Sequence, residues 1–174
     1  MRRILLVDDE ANVLSALQRA LRQFMSEHEV EIRVCQDPEQ ALLRCAEENF
    51  DVVMSDYRMP GLTGGDFLQI VKTLQPEAVR LVLSASNDIG EVMDAINRAE
   101  VYRYLAKPWE IRELEKIFAQ AFAHHDEVQA ARRLAAQTGQ AALSPQEREL
   151  RRLEAEEPGI TKVRRDSDGS IYLE

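Results

Sequence analysis

Through residue 124 the chain repeats one rhythm: a short apolar run, then a stretch with apolar residues at helical spacing. The runs are Ile4-Leu5-Leu6-Val7, Glu31-Ile32-Arg33-Val34-Cys35, Val52-Val53-Met54-Ser55, Arg80-Leu81-Val82-Leu83 and Val101-Tyr102-Arg103-Tyr104-Leu105. Short, β-branched or aliphatic runs of this kind predict strands. The first and third are apolar almost throughout, as central parallel strands covered on both faces should be.

Between the runs, Val13, Leu14, Leu17, Ala20, Leu21 and Phe24 recur at helical spacing, as do Ala41, Leu42 and Cys45. Asp37-Pro38 supplies an N-cap and a proline at the first helical position. Phe67, Leu68, Val71 and Leu74 follow what reads as a Gly64-Gly65 turn, and Val92, Ala95, Ile96 and Ala99 follow a capping pair, Asn87-Asp88. A fifth helix is expected to open near Trp109, carrying Ile111, Leu114, Ile117, Phe118, Ala121 and Phe122. Alternating strand and helix predicts an α/β fold, a parallel sheet with helices on both faces, since right-handed crossovers dominate. Ligands of such sheets sit beyond the carboxyl ends of the strands.

Residues 125–174 break the rhythm. The fifth helix can continue through Val128, Ala131, Leu134 and Ala135. Ser144-Pro145-Gln146-Glu147 then starts a helix of about 145–157, with Ser at the N-cap, Pro at N1 and Glu at N3. Two short runs around Asp166-Ser167-Asp168-Gly169 predict a β-hairpin over about 160–173. The expected division is therefore a domain over 1–124 and a C-terminal extension over 125–174. A lone hairpin is marginal in water, so it needs a surface to pack on.

Charge narrows the function. Asp and Glu number 31 against 22 Lys and Arg, a net charge of −9. Nucleic-acid binding relies on basic surfaces, so no nucleic-acid partner is expected. No apolar run approaches the roughly 20 residues of a membrane span, and the four apolar residues after Arg3 are too few for a secretory signal. With Cys35 and Cys45 alone there is no disulfide framework, which fits a reducing cytoplasm.

The strand ends carry the chemistry. The first run leads into Asp8-Asp9, the third into Asp56, the fourth ends at Ser84, and Lys107-Pro108 follows the fifth. Parallel strands bring these to one edge. Clustered acids raise one another's pKa unless a cation intervenes. A hard divalent ion such as Mg²⁺ suits oxygen ligands of this kind and keeps positions for water or phosphate oxygens. A lysine and a hydroxyl opposite it would hold phosphoryl oxygens, so the constellation reads as a phosphoryl-transfer site. His124-His125 offers little as a metal pair, because adjacent helical residues point about 100° apart.

Val7-Asp8-Asp9-Glu10, Ser55-Asp56-Tyr57-Arg58-Met59-Pro60-Gly61, Leu83-Ser84-Ala85 and Ala106-Lys107-Pro108 resemble, in order and spacing, the four signature segments of CheY-like receiver domains of bacterial response regulators. The resemblance covers about residues 1–124. It implies a doubly wound, flavodoxin-like fold with a five-stranded parallel sheet in the order 2-1-3-4-5. It implies that Asp56 accepts a phosphoryl group from phosphohistidine. Asp8, Asp9, Asp56 and the Arg58 carbonyl would hold Mg²⁺ or Mn²⁺. Ser84 and Lys107 would bind the phosphoryl group, Ser84 and Tyr104 (rather than Tyr102) would switch, and Arg58 and Ser86 would tune phosphoryl lifetime. Ser55 to Gly61 together with Ala95 to Trp109 further resemble receivers that precede HD-GYP phosphodiesterases or related output modules, although no HD-GYP domain is present.

The implied function is a two-component response regulator, partnered by a sensor histidine kinase or a histidine phosphotransfer protein. It would be a phosphoacceptor with self-catalysed transfer and slow dephosphorylation, not an enzyme in the usual sense. The extension holds eight basic residues against ten acidic, too acidic and too short for a helix-turn-helix output. Output is expected through protein contact or a homodimer. Leu114, Ala121, Val128 and Ala135 form one heptad seam and Ile117 and Ala131 part of a second, but His124 and Thr138 make it weak. The alternatives are a phosphorylation-independent binding module, an aspartyl-phosphate phosphatase, or the receiver fragment of a longer regulator. Arg58 disfavours the phosphatase, standing where a second acid would be wanted.

Overall fold

The computed structural model describes residues 1–26, 28–85 and 97–137. In it the apolar runs become β1 (Arg2–Val7), β2 (Val30–Cys35), β3 (Val52–Asp56), β4 (Val79–Ala85) and β5 (Arg103–Lys107). The described helices are α1 (Ala11–Leu21), α2 (Pro38–Glu47), α3 (Gly64–Leu74) and α4 (Ile111–Gln137). The sheet order is β2-β1-β3-β4-β5 with every neighbouring pair parallel, the flavodoxin-like order.

Side chains alternate across each strand, so the sheet has two apolar faces. Ile4, Leu6, Met54, Leu81, Leu83 and Leu105 pack with Leu14, Leu17 and Leu21 of α1 and with Leu114, Phe118 and Ala121 of α4. On the other face Leu5, Val7, Val53 and Val82 pack with Ala41 and Cys45 of α2 and with Phe67, Leu68 and Val71 of α3. Both cysteines are buried free thiols. Burial is the main cause that pushes the Cys45 thiol up to about 11. Among the described residues no helix is long and apolar enough to cross a membrane.

Several boundaries differ from the sequence reading. Gly64-Gly65 is the first turn of α3, capped by Thr63, whose hydroxyl accepts from the Asp66 amide at 3.2 Å. Helix α1 stops at Leu21, and Phe24 lies past it in a turn whose amide bonds the Leu21 carbonyl. Val101 and Tyr102 precede β5, whose ladder with β4 begins at Arg103 opposite Leu81 and runs to Lys107 opposite Ala85. The fifth helix of the sequence reading starts at Ile111, with Trp109 packed beside the core ahead of it. Asp37 does cap α2, accepting from the Glu39 amide at 2.8 Å, with Pro38 at the start.

The fourth expected helix, with its Asn87-Asp88 cap and Ser86, is described only at residues 97–99. The helix of 145–157 and the hairpin of 160–173 lie wholly outside the described residues. The chain divides into compact units Met1–Gln129 and Ala130–Glu174. The seam positions Leu114, Ile117 and Ala121 are buried in the core of the first unit, so they already have a partner in the sheet.

Two buried polar side chains tie loops to the sheet. Gln75 accepts from the Phe50 amide at 2.8 Å and donates to the Cys45 carbonyl at 2.6 Å, joining the ends of α2 and α3 to the entry of β3. Arg80, on an otherwise apolar strand, donates to the carbonyls of Ala99 at 2.8 Å and Ala78 at 2.7 Å. These bonds satisfy the guanidinium in the interior, where an unpaired charge would be costly.

Candidate functional site at the carboxyl edge of the sheet

Strands β1, β3, β4 and β5 deliver their last residues to one edge. Asp8 follows β1, Asp56 ends β3, Ser84 is the next-to-last residue of β4, and Lys107 ends β5 before a cis peptide to Pro108. The register sets Asp56 beside Leu83 and Ser84 beside Ala106. The geometry thus needs no long loops: each of these four groups is carried on, or one residue past, a strand of the sheet.

Lys107 is the centre of the arrangement. Its Nζ lies 2.6 Å from Asp56 Oδ1 and 2.9 Å from Asp8 Oδ2, with Glu10 Oε1 at 3.9 Å. Both aspartates are almost wholly buried, at 5% exposure for Asp56 and 1% for Asp8. The remaining oxygens accept from backbone amides: Asp56 Oδ2 from Arg58 at 2.8 Å, and Asp8 Oδ1 from Glu10 at 2.9 Å. Ser84 is buried and its hydroxyl donates to the Ala85 carbonyl at 3.3 Å. Asp9 is exposed at the rim. Tyr104 is half-buried against the face that holds Leu5 and Val7. Ser86 lies outside the described residues.

The structure therefore brings together Asp8, Asp56, Lys107 and Ser84, and leaves the Asp9 side chain outside the buried cluster. Among the described residues no three acidic, histidine or cysteine side chains already stand as a metal-binding group. The donor chemistry still fits a hard divalent ion: two buried carboxylates side by side, a third at the rim and nearby backbone carbonyls are all oxygen donors.

Two contributors are not singled out by strand-end reasoning. Glu10 donates its amide to Asp8 and sends a carboxylate toward Lys107. Its signal is its place at the N-cap of α1, two residues past Asp8. Gly64 lies against the peptide of Asp56: a Cβ there would stand 1.9 Å from the Asp56 carbonyl oxygen. Its amide donates to the Tyr57 carbonyl at 2.8 Å. The signal is a glycine opening a helix where alanine would serve better on propensity alone.

Burial holds the Asp56 carboxyl above the usual carboxylate range, with Asp8 adding to the rise, while Lys107 and the Arg58 amide pull against it. For Lys107 burial works downward, but the bonds to Asp56 and Asp8 win and raise it. An acid whose folded pKa exceeds its unfolded value binds its proton more tightly in the folded state. Its ionisation therefore destabilises the fold, and stability falls as pH rises from the unfolded value through the folded one. With divalent cations chelated, Asp56→Asn is expected to melt higher than the native chain at neutral pH. The gain should disappear in acid, where both states carry the proton. Thermal melts between roughly pH 3 and pH 8 would show it, and a variant melting lower at neutral pH would contradict it.

Residues 4–119 match the family model of the response regulator receiver domain. The chain belongs to that family. Over 106 residues this receiver is 35% identical to the hydrogenase transcriptional regulatory protein HoxA of Cupriavidus necator, covering 61% of this chain and 21% of that one. Over 118 residues it is 34% identical to the two-component response regulator ARR14 of Arabidopsis thaliana, covering 67% of this chain and 30% of that one. Among solved structures it is similar to the signal receiver domain of an HD domain-containing protein from Pseudomonas fluorescens Pf-5. That match has 31% identity and a TM-score of 0.69, and covers 74% of this chain and 92% of that one. The receiver thus spans between about a fifth and a third of the length of these curated relatives.

Proposed function

We propose that this receiver is the phosphoacceptor module of a two-component response regulator, with Asp56 as the acceptor. The observation that carries the proposal is the Lys107 ammonium lying within 2.9 Å of both buried carboxylates, Asp56 and Asp8, at the carboxyl edge of the sheet. A buried aspartate with this partner is a nucleophile whose charge is held in place yet can be handed on.

The chemistry follows from the same groups. An Asp56 carboxylate oxygen attacks phosphorus of a phosphohistidine, on a sensor histidine kinase or a histidine phosphotransfer protein. The new O–P bond forms as the N–P bond breaks. The electron pair stays on the departing imidazole nitrogen, which takes up a proton. Lys107 passes from the Asp56 carboxylate to a phosphoryl oxygen, and the Ser84 hydroxyl turns from the Ala85 carbonyl to another. Asp8, Asp9, Asp56 and the Arg58 carbonyl would hold Mg²⁺ or Mn²⁺. When bound, that ion offsets the negative charge shared by the carboxylates and the incoming phosphoryl group.

Transfer is catalysed by the receiver's own residues, and dephosphorylation is slow, with Arg58 and Ser86 bordering the path of attacking water. Ser84 and Tyr104 convey the phosphorylated state to a protein-binding surface. The receiver occupies residues 1–124. Residues 125–174 act as an extension for partner contact or homodimerisation rather than nucleic-acid binding, in the cytoplasm.

Incubation of the chain with Mg²⁺ and a small acyl phosphate donor, followed by intact mass measurement, tests the proposal. The native chain should gain one phosphoryl group, and Asp56→Asn none. A variant that gains the group as readily as the native chain would overturn it. So would a native chain that accepts none from either the small donor or a phosphorylated histidine phosphotransfer protein.

A further inference from the structure

We infer that the turn of α4 from His124 to Gln129 is a polar latch, able to leave the base of the receiver while the fold stays closed. The latch lies at the amino end of the sheet, the end opposite Asp56. Four segments at the starts of strands each supply one anchor. Arg2, the first residue of β1, pairs with Asp126 at 2.5 Å. Asp51, just before β3, faces His125 Nε2 at 3.4 Å and Arg2 at 3.6 Å. Glu77, before β4, accepts from the Gln129 side chain. Tyr102, before β5, stacks on His124 with ring centroids 4.5 Å apart and planes inclined by 12°.

The way α4 is held changes at this turn. Leu114, Ile117, Phe118 and Ala121 are buried in the core. From Ala123 to Gln129 the one buried residue is His125, and its partners are polar. Beside the turn lies an open pocket of about 140 Å³ bordered by Arg80, Tyr102, His124 and Val128. Apolar burial stabilises in proportion to the area removed from water, whereas exposed ion pairs contribute little and are screened by salt. Arg2 and Asp126 have side chains 33% and 57% exposed, so their pairing is of the second kind. The turn therefore opens more easily than the helix before it, as a separate local unit.

Release would expose residues 124–129 of α4 to a partner, and anything that competes for Arg2 or Asp126 would favour it. Amide hydrogen exchange on the full chain tests the latch. In Arg2→Met, amides of residues 124–129 should exchange about fivefold faster, while those of residues 114–121 stay within about twofold of the native chain. Should that variant not fold, the native chain gives the same reading between about 0.05 M and 1 M salt, where the pairs are screened. Unchanged exchange at 124–129 would overturn the inference. So would an equal rise along the whole of α4, which would mean that the helix opens as one body.

Discussion

Gly64→Ala is expected to destabilise the receiver by about 3 kcal/mol and to slow phosphoryl acceptance at the same time. The added methyl would meet the Asp56 carbonyl oxygen at 1.9 Å, well inside contact distance. Neither side can yield cheaply. Asp56 is the last residue of a strand paired on both sides, and Gly64 is locked by its amide bond to the Tyr57 carbonyl. Relief must come from moving the start of α3 or the end of β3, and the second displaces the acceptor. Gly61→Ala makes a useful contrast. That glycine has φ +81 and open space around it, so its cost is a backbone preference of about 1 kcal/mol with no push on Asp56. Denaturant unfolding paired with phosphorylation rates would separate the two. A Gly64→Ala protein of native stability and rate would show that the contact is harmless.

Lys107→Ala is expected to lower the rate of phosphoryl acceptance by roughly 10²–10³-fold, the usual scale for losing one group aimed at developing charge. Its effect on the resting protein follows from the same contacts. Without the ammonium, Asp8 and Asp56 face one another with no counter-charge, and the Asp56 carboxyl rises further above its usual range. In chelating buffer the variant should lose stability relative to the native chain as pH rises, because the buried Asp56 carboxylate then forms without its ammonium partner. Added Mg²⁺ should restore more stability to the variant than to the native chain, since the ion takes over the missing positive charge. Melting curves with and without Mg²⁺ would check the second effect, and initial rates the first. Equal rates in variant and native chain would remove Lys107 from the site.

Much of this molecule is legible in its sequence because strands end where polar residues begin. Leu6-Val7 passing into Asp8, and Met54-Ser55 into Asp56, place both acids at one edge as soon as the strands are parallel. The separation of His124 and His125 was legible too. One stacks on Tyr102 and the other faces Asp51, as residues about 100° apart on a helix should. What the sequence could not show depends on contacts between distant segments. Asp8 and Asp9 read alike, yet only Asp8 turns inward to Lys107 while Asp9 stays exposed. Gly64-Gly65 reads as a turn because glycine disfavours helix. Its true reason is the Asp56 peptide packed against it, eight residues back in the chain. Arg80 stands at the head of an apolar strand run, and only the carbonyls of Ala78 and Ala99 explain its burial. On the fifth helix the first part of the heptad seam, Leu114, Ile117 and Ala121, is spent on the sheet.

Asp56 as the acceptor is tested by locating the phosphoryl group on one residue. Phosphorylated protein is reduced with borohydride, which converts an aspartyl phosphate to homoserine, then digested and sequenced by mass. Homoserine is expected at position 56 alone, dependent on Mg²⁺. Homoserine at position 8 or 9 instead, or phosphorylated protein with none at position 56, would contradict it.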